Sequence, residues 1–342
     1  MKNKYSDIIS SINNNQRGVL DSVLILDGLN CFLRNFSVVN HLNPNGAHVG
    51  GLTGFLKSLG YAIKILDPTK VVILFDGEGG SNNRRNIFPE YKSNRKTNKV
   101  TNNSLFRSKE EENEEINNQI NRLIHYLKVL PVSIICVNGL EADDIAGYLV
   151  NKLNNYSNTY EISLVSTDQD YLQLVGNKTK LFSPTKKKIY NQKEIFEEYG
   201  IRSNNFINYK ALLGDSSDNI PGIKGLGPKK IVKLFPDIVG EKTLDISDIF
   251  QYALDNKSKH NLYLSLLENK EQIEINYKLM DLNNLYISPE NEEQIKNEFK
   301  NIYSFNPHAF MSMFYKDGLG NSIPNTMDWL NQIFGPLTYI KQ

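Results

Sequence analysis

Nine carboxylates carry the chemistry open to this chain. Asp27 and Asp76 close the apolar runs Val23-Leu24-Ile25-Leu26 and Val71-Val72-Ile73-Leu74-Phe75. Glu141, Asp143 and Asp144 fall within four residues, and Asp168 and Asp170 follow Ile162-Ser163-Leu164-Val165. Asp215 and Asp218 stand in Gly214-Asp215-Ser216-Ser217-Asp218-Asn219-Ile220-Pro221. Singly, an acid at a strand end is usually a turn or cap residue. The Glu-Ala-Asp-Asp cluster alone reads slightly better as acids in a first helical turn, where the dipole contributes about 0.3–1 kcal/mol per charge. Together they read otherwise. In an open parallel sheet the carboxyl ends of the strands share one edge, where ligands bind. The acids after these three runs, and the Glu141 cluster after a fourth apolar run from Pro131 to Val137, would converge there, and like charge so concentrated requires cations. With oxygen donors alone and no Cys or His among them, the cation should be hard: Mg²⁺, or Mn²⁺ as a substitute.

That convergence depends on helices between strands. Leu52, Phe55, Leu56, Leu59, Ala62, Ile63 and Leu66 recur at helical spacing between the first two apolar runs, the pattern of a βαβ unit. The fold expected is therefore α/β, with a mostly parallel central sheet and flanking helices. Ile116, Ile120, Leu123, Ile124 and Leu127 mark another helix, a further one opens at the Glu141 cluster, and residues 180–190 read as a hairpin that finishes the sheet. Residues 1–20 read as a polar leader, 21–200 as the sheet domain and 201–342 as a helical domain. Within the last, Phe310, Met311, Met313 and Phe314 are expected to be core packing rather than a partner groove.

Between residues 82 and 109 the apolar periodicity lapses, and eight Lys or Arg residues face one acid, Glu90. A segment this long and basic is either a solvated loop or a functional one, and it is expected to be mobile without a ligand. A second basic site follows the last acids. Gly222-Ile223-Lys224-Gly225-Leu226-Gly227 leads into a helix opened by Pro228 and carrying Lys229, Lys230 and Lys233. Bare backbone N–H groups beside lysines suit an anion such as phosphate. The net charge is only +1, so a nucleic-acid partner must be met by such local patches. Cys31 and Cys136, the only cysteines, suit reduced thiols, and residues 1–16 lack the apolar core of a signal peptide. A cytoplasmic protein is expected. No P-loop and no nucleophile–His–acid pattern is present.

Taken in order, these motifs resemble the structure-specific 5′ nucleases, the family of flap endonucleases and of the 5′ nuclease domain of bacterial DNA polymerase I. The resemblance covers about residues 22–240 and includes Phe88-Pro89-Glu90-Tyr91-Lys92-Ser93-Asn94-Arg95 as well as all nine acids. Within the family, Arg84-Arg85, the chain length and the tail are most similar to the T-even phage RNase H branch, whereas the glycine hairpin follows the common flap-endonuclease form. The resemblance implies a PIN-like sheet domain, with a basic arch over 82–128 and a helix–hairpin–helix element over 204–236. It also implies a two-metal phosphodiesterase. Asp27, Asp76, Glu141, Asp143 and Asp144 would hold the first Mg²⁺; Asp168, Asp170, Asp215 and Asp218 would hold the second. Lys92 and Arg95 would meet the scissile phosphate, Tyr91 would stack on a terminal base, and Arg84 and Arg85 would touch the nucleic-acid backbone. Gly222, Lys224, Gly225, Gly227, Lys229 and Lys230 would grip duplex phosphates, with a K⁺ ion on the carbonyls of 221–227. The activity implied is 5′→3′ exonuclease and flap endonuclease, including removal of RNA from RNA–DNA hybrids during phage replication. The protein would act as a monomer, with a single-strand DNA-binding protein or sliding clamp as partner. The alternatives are a PIN-type ribonuclease, which lacks the hairpin and the Asp215–Asp218 pair, and an inactive junction-binding scaffold, which lost acids would favour.

Overall fold

The computed structural model describes residues 21–96, 105–155, 160–320 and 322–339. The leader expected over 1–20 and part of the arch, 97–104, lie outside the described residues.

Six strands form one sheet: β1 (Asp21–Asp27), β2 (Lys70–Asp76), β3 (Ser133–Val137), β4 (Tyr160–Val165), β5 (Thr179–Ser183) and β6 (Lys188–Tyr190). Their order is β3-β2-β1-β4-β5-β6. The first five run parallel and β6 returns antiparallel, as the hairpin pattern led one to expect. The central strands are apolar on both faces, and alternation sends their side chains into two cores. Val23, Ile25, Val72, Leu74, Ile162 and Leu164 face one core; Leu24, Leu26, Val71 and Ile73 face the other.

Around the sheet and beyond it lie α1 (Gly28–Val38), α2 (Gly50–Leu66), α3 (Asn82–Ile87), α4 (Lys109–Leu127), α5 (Ala142–Asn155), α6 (Gln192–Tyr199) and α7 (Phe206–Leu213). They are followed by α8 (Pro228–Leu234), α9 (Ile246–Asn256), α10 (Asn261–Glu268), α11 (Lys270–Met280), α12 (Pro289–Lys300), α13 (Pro307–Lys316) and α14 (Thr326–Phe334). Helices α1, α2 and α4 cover the second core; α5 and the helices from α7 to α12 complete the first. Helix α12 also shields the edge of β3: Cys136 N donates to Glu298 Oε2 at 2.9 Å and Gln294 Nε2 donates to Cys136 O at 3.3 Å.

Two expectations are corrected. The tail does not join a helical domain spanning 201–342. Phe310, Phe314, Leu330, Phe334 and Leu337 enter the sheet core beside α2 and α4 instead. Asp317 seals that contact, accepting from Arg122 at 2.6 and 3.0 Å and from Tyr126 Oη at 2.7 Å. The reason is an apolar face on α2 and α4 that the sheet alone leaves uncovered. Nor is the described start of the basic segment loose: residues 82–87 form α3 and 93–96 a 3₁₀ turn. Tyr91 and Phe88 anchor it on Ile207, Ile220, Leu279 and Met280.

Candidate active site

Each acid is aimed by the element that ends or begins beside it. Asp27 terminates β1 and caps α1, accepting from Asn30 N at 3.0 Å, and its other oxygen accepts from Ser166 Oγ and Tyr171 Oη at 3.3 Å each. Asp76 terminates β2 and accepts from Ala142 N at 2.8 Å, which ties the sheet edge to the start of α5. Asp168 caps the turn after β4 by accepting from Asp170 N at 2.9 Å. The result is a cavity of about 240 Å³ at the carboxyl edge, lined by Asp27, Asp76, Glu141, Asp143, Asp168, Asp218 and Lys92. A wider cleft of about 840 Å³ shares Asp168 with it and continues past Lys210 and Asp215 to Gly222. Seven of the nine acids thus line the two connected spaces. Asp144 and Asp170 lie behind them, buried.

The electrostatics show the cost of this gathering. Burial pushes the Asp27 carboxyl up to about 7, and Asp76 and Asp168 add repulsion against the Asn30 hydrogen bond. Asp76 and Asp168 are raised for the same first reason, burial. Asp170 is pushed up to about 8 by burial and then by Asp168. Glu141 goes the other way: burial is outweighed by Arg84 and Lys92, which hold it below the ordinary carboxylate range.

Three internal cations stand among the acids. Arg84 is 7% exposed, and its guanidinium grips Glu141 and both oxygens of Asp144, at 2.8 and 3.1 Å, with Nε on Leu279 O at 2.8 Å. Lys92 Nζ donates to Glu141 Oε1 at 2.6 Å. Lys210, 5% exposed, lies 2.7 Å from Asp215 Oδ2 and 3.0 Å from Asp170 Oδ1. Burial disfavours its charge, yet those two acids hold its pKa above the ordinary lysine value. Lys210 escaped the sequence reading. Its signal was a single cation in the apolar helix Phe206-Ile207-Asn208-Tyr209-Lys210-Ala211-Leu212-Leu213, five residues before an acid.

Two expected nucleic-acid contacts are corrected. Arg84 does not face a polymer backbone, because the buried acids claim it. Tyr91 offers no stacking face: it is 3% exposed, with its hydroxyl 3.0 Å from Glu141 Oε2 and 3.4 Å from Asp218 Oδ2. Arg85 is half-buried beside Tyr91 O. The side chain of Arg95 lies outside the described residues. In the hairpin, Gly222, Lys224, Gly225, Lys229 and Lys230 are exposed and Gly227 is half-buried. Gly225 has φ +82°, a conformation that favours glycine, and Lys230 Nζ donates to its carbonyl at 2.8 Å.

The donor set fits a hard divalent cation: oxygens only, crowded, with Asp27, Asp76, Asp168 and Asp170 pushed toward neutrality by burial and mutual repulsion. Among the described residues no three such donors are already drawn into a ligating group. Arg84, Lys92 and Lys210 stand between them.

An open parallel sheet with an acidic carboxyl edge, a lysine at its cavity and a basic hairpin beyond defines an α/β nuclease of the resolvase-like, PIN-like type. The family model for the 5′-3′ exonuclease N-terminal resolvase-like domain matches residues 22–200, and that for the 5′-3′ exonuclease C-terminal SAM fold matches residues 201–301. The chain belongs to the 5′-3′ exonuclease family. It is 31% identical to the 5′-3′ exonuclease of Bacillus subtilis (strain 168), over 77% of this chain and 80% of that protein. The match to the thermostable DNA polymerase I of Thermus thermophilus is 29% identical over 63% of this chain but only 24% of the polymerase. Among solved structures, bacteriophage T5 flap endonuclease, in a complex with DNA and metal ions, superposes with a TM-score of 0.62 at 21% identity, covering 93% of this chain and 99% of that one. Human GEN1 with Holliday junction DNA gives 0.54 at 13% identity, over 92% and 71%. These two likenesses concern the fold.

Proposed function

We propose that this 5′ nuclease is Mg²⁺-dependent, with Mn²⁺ able to substitute. It hydrolyses phosphodiester bonds at the 5′ ends of DNA and RNA–DNA duplexes, trimming flaps and RNA primers during phage DNA replication. The observation that carries the reading is the carboxyl-edge cavity, where buried like charges and one lysine line a space that opens toward the hairpin. Asp27, Asp76, Glu141 and Asp143 would hold one ion, Asp144 of the same expected group being engaged by Arg84 through both oxygens, and Asp168, Asp170, Asp215 and Asp218 would hold the other. The chemistry a divalent pair supplies when bound is activation of water and neutralisation of charge on the leaving oxygen.

The chain's own groups do the rest. Lys92, its ammonium already in the cavity, offsets charge developing on the phosphate. Lys210 holds Asp215 in its ionised form and bridges it to Asp170. Lys224, Lys229 and the hairpin N–H groups meet duplex phosphates without reading sequence, so that binding weakens as salt rises. A K⁺ ion at the hairpin would share the Gly225 carbonyl with Lys230. Monomeric action beside a single-strand DNA-binding protein or clamp belongs to the same reading.

The test is cleavage of a 5′-labelled flap duplex by the native protein and by Asp76→Asn, with Mg²⁺ or with EDTA. Product near the junction, dependent on metal and lost in the variant, is expected. Intact duplex binding without cleavage of flaps, nicks or hybrids would overturn the reading.

A further inference from the structure

We infer that Asn219 is a positioning residue: its side chain clips the base of the arch, residues 90–94, onto the loop of the second acid group and so holds Lys92 at the cavity. The inference rests on the reading of Lys92 as the cation that meets the phosphate.

Asn219 adopts φ +60°, and Lys92, across the contact, adopts φ +56°. Such left-handed conformations are unfavourable for residues other than glycine and persist where their surroundings over-determine them. Here the surroundings are visible. Asn219 Nδ2 donates to Glu90 O at 3.0 Å and to Ser93 Oγ at 3.1 Å, and lies 3.4 Å from Glu90 Oε2. On either side the same two segments join again: Lys92 N donates to Asp218 O at 2.9 Å and Asn94 Nδ2 donates to Ser216 O at 2.9 Å. The clip therefore brackets Lys92, whose ammonium reaches Glu141. It also fixes the backbone of Asp218, which lines the same cavity.

The chemistry selects an amide. Two N–H hydrogens on one nitrogen serve a carbonyl and a hydroxyl at once. A carboxylate would have no hydrogen to give and would stand beside that of Glu90. Asparagine also tolerates the left-handed backbone better than most residues. One side chain thus couples the segment that carries the phosphate-facing lysine to the loop that carries Asp215 and Asp218.

Asn219→Gly separates the two roles, since glycine keeps the backbone conformation and loses the donors. Three quantities are read on the full chain: hydrogen exchange of residues 90–94, the single-turnover rate on a flap duplex with Mg²⁺, and duplex Kd. We expect faster exchange and a rate about tenfold to a hundredfold lower, with Kd changed less than about twofold, the scale set by a misplacement near 1 Å. Asn219→Asp should be at least as slow. In a Lys92→Ala background, Asn219→Gly should cost less rate than it does alone, because the part of its effect that runs through Lys92 is already gone. Unchanged exchange, a native rate, or losses that multiply in the double variant would overturn the clip. If Lys92→Ala alone cleaves at the native rate, the reading of Lys92 fails; faster exchange in Asn219→Gly would still support the clip itself.

Discussion

Asp76 and Asp144 are both carboxylates of the acidic edge, but their surroundings assign them different work. Asp144 gives both oxygens to Arg84, and one of them also accepts from Glu141 N at 3.0 Å. Asp76 faces the cavity among like charges. Replacing Asp144 by Asn leaves a buried guanidinium without its two-pronged partner. We expect the metal-free protein to lose about 2–3 kcal/mol of unfolding free energy in urea, the scale of a hydrogen bond to a charged group. Asp76→Asn relieves repulsion instead. Its metal-free form should be at least as stable as the native one, while calorimetric binding of Mg²⁺ is lost. A native Mg²⁺ isotherm in Asp76→Asn would remove that residue from the ligand set.

At the scale of elements, the hairpin 221–227 and the tail each meet the rest of the fold at a close contact that a single substitution can test. A Cβ at Gly222 would lie 1.9 Å from Leu213 O, at the end of α7. Gly222→Ala must therefore push the hairpin away from α7 and strain the hydrogen bond from Ile223 N to Leu212 O, now 3.0 Å. Because Gly222 opens the hairpin but also lines the cleft of Asp168 and Asp215, duplex affinity should weaken roughly tenfold, or about 1.4 kcal/mol. The cleavage rate at saturating enzyme should fall by a smaller factor, and fluorescence anisotropy beside single-turnover kinetics separates the two. The tail makes the opposite kind of contact, a charged one. Asp317→Ala removes three hydrogen bonds, leaving the Tyr126 hydroxyl without its acceptor beside apolar packing and the partly exposed Arg122 without its carboxylate. We expect a loss of about 1–3 kcal/mol of stability in urea, with duplex affinity unchanged. A stability equal to the native one would mean that Phe310 and Phe314 alone anchor the tail.

For the whole molecule, the crowded acids make stability depend on pH with a definite sign. Asp27 rises to about 7 and Asp170 to about 8 in the folded protein, chiefly through burial, so the native state holds protons that the unfolded chain, near pH 4, releases. Stability from these groups is complete below about pH 4 and is lost as pH climbs through 7 and 8. Glu141 and Asp215, held low by their cations, act in the other direction and only in acid. Differential scanning calorimetry of the metal-free protein should therefore show Tm falling between about pH 5 and pH 8. Added Mg²⁺ should raise Tm more at pH 8 than at pH 5, because protonation competes with the ion. A metal-free Tm that climbs across this window would contradict the burial of the acids.

The sequence by itself determined the parallel sheet and the meeting of acids at its edge. Both follow from local facts: Val23 to Leu26 and Val71 to Phe75 are short apolar runs, each closed by Asp, and a helical period lies between them. Once such strands lie side by side, Asp27 and Asp76 have nowhere else to stand. Only the tertiary structure decided which cation answers which acid. Arg84 meets Leu279 O across 195 positions of chain, and the tail closes on α4 through Arg122 and Asp317 across another 195. In the sequence Arg84 and Arg85 look alike, and Tyr91 reads as readily as a stacking platform as it does as a buried hydroxyl. Periodicity reports which face of an element is apolar; it carries no record of which distant charge will be packed against that face. Desolvation makes that pairing obligatory, and desolvation exists only once the chain has folded.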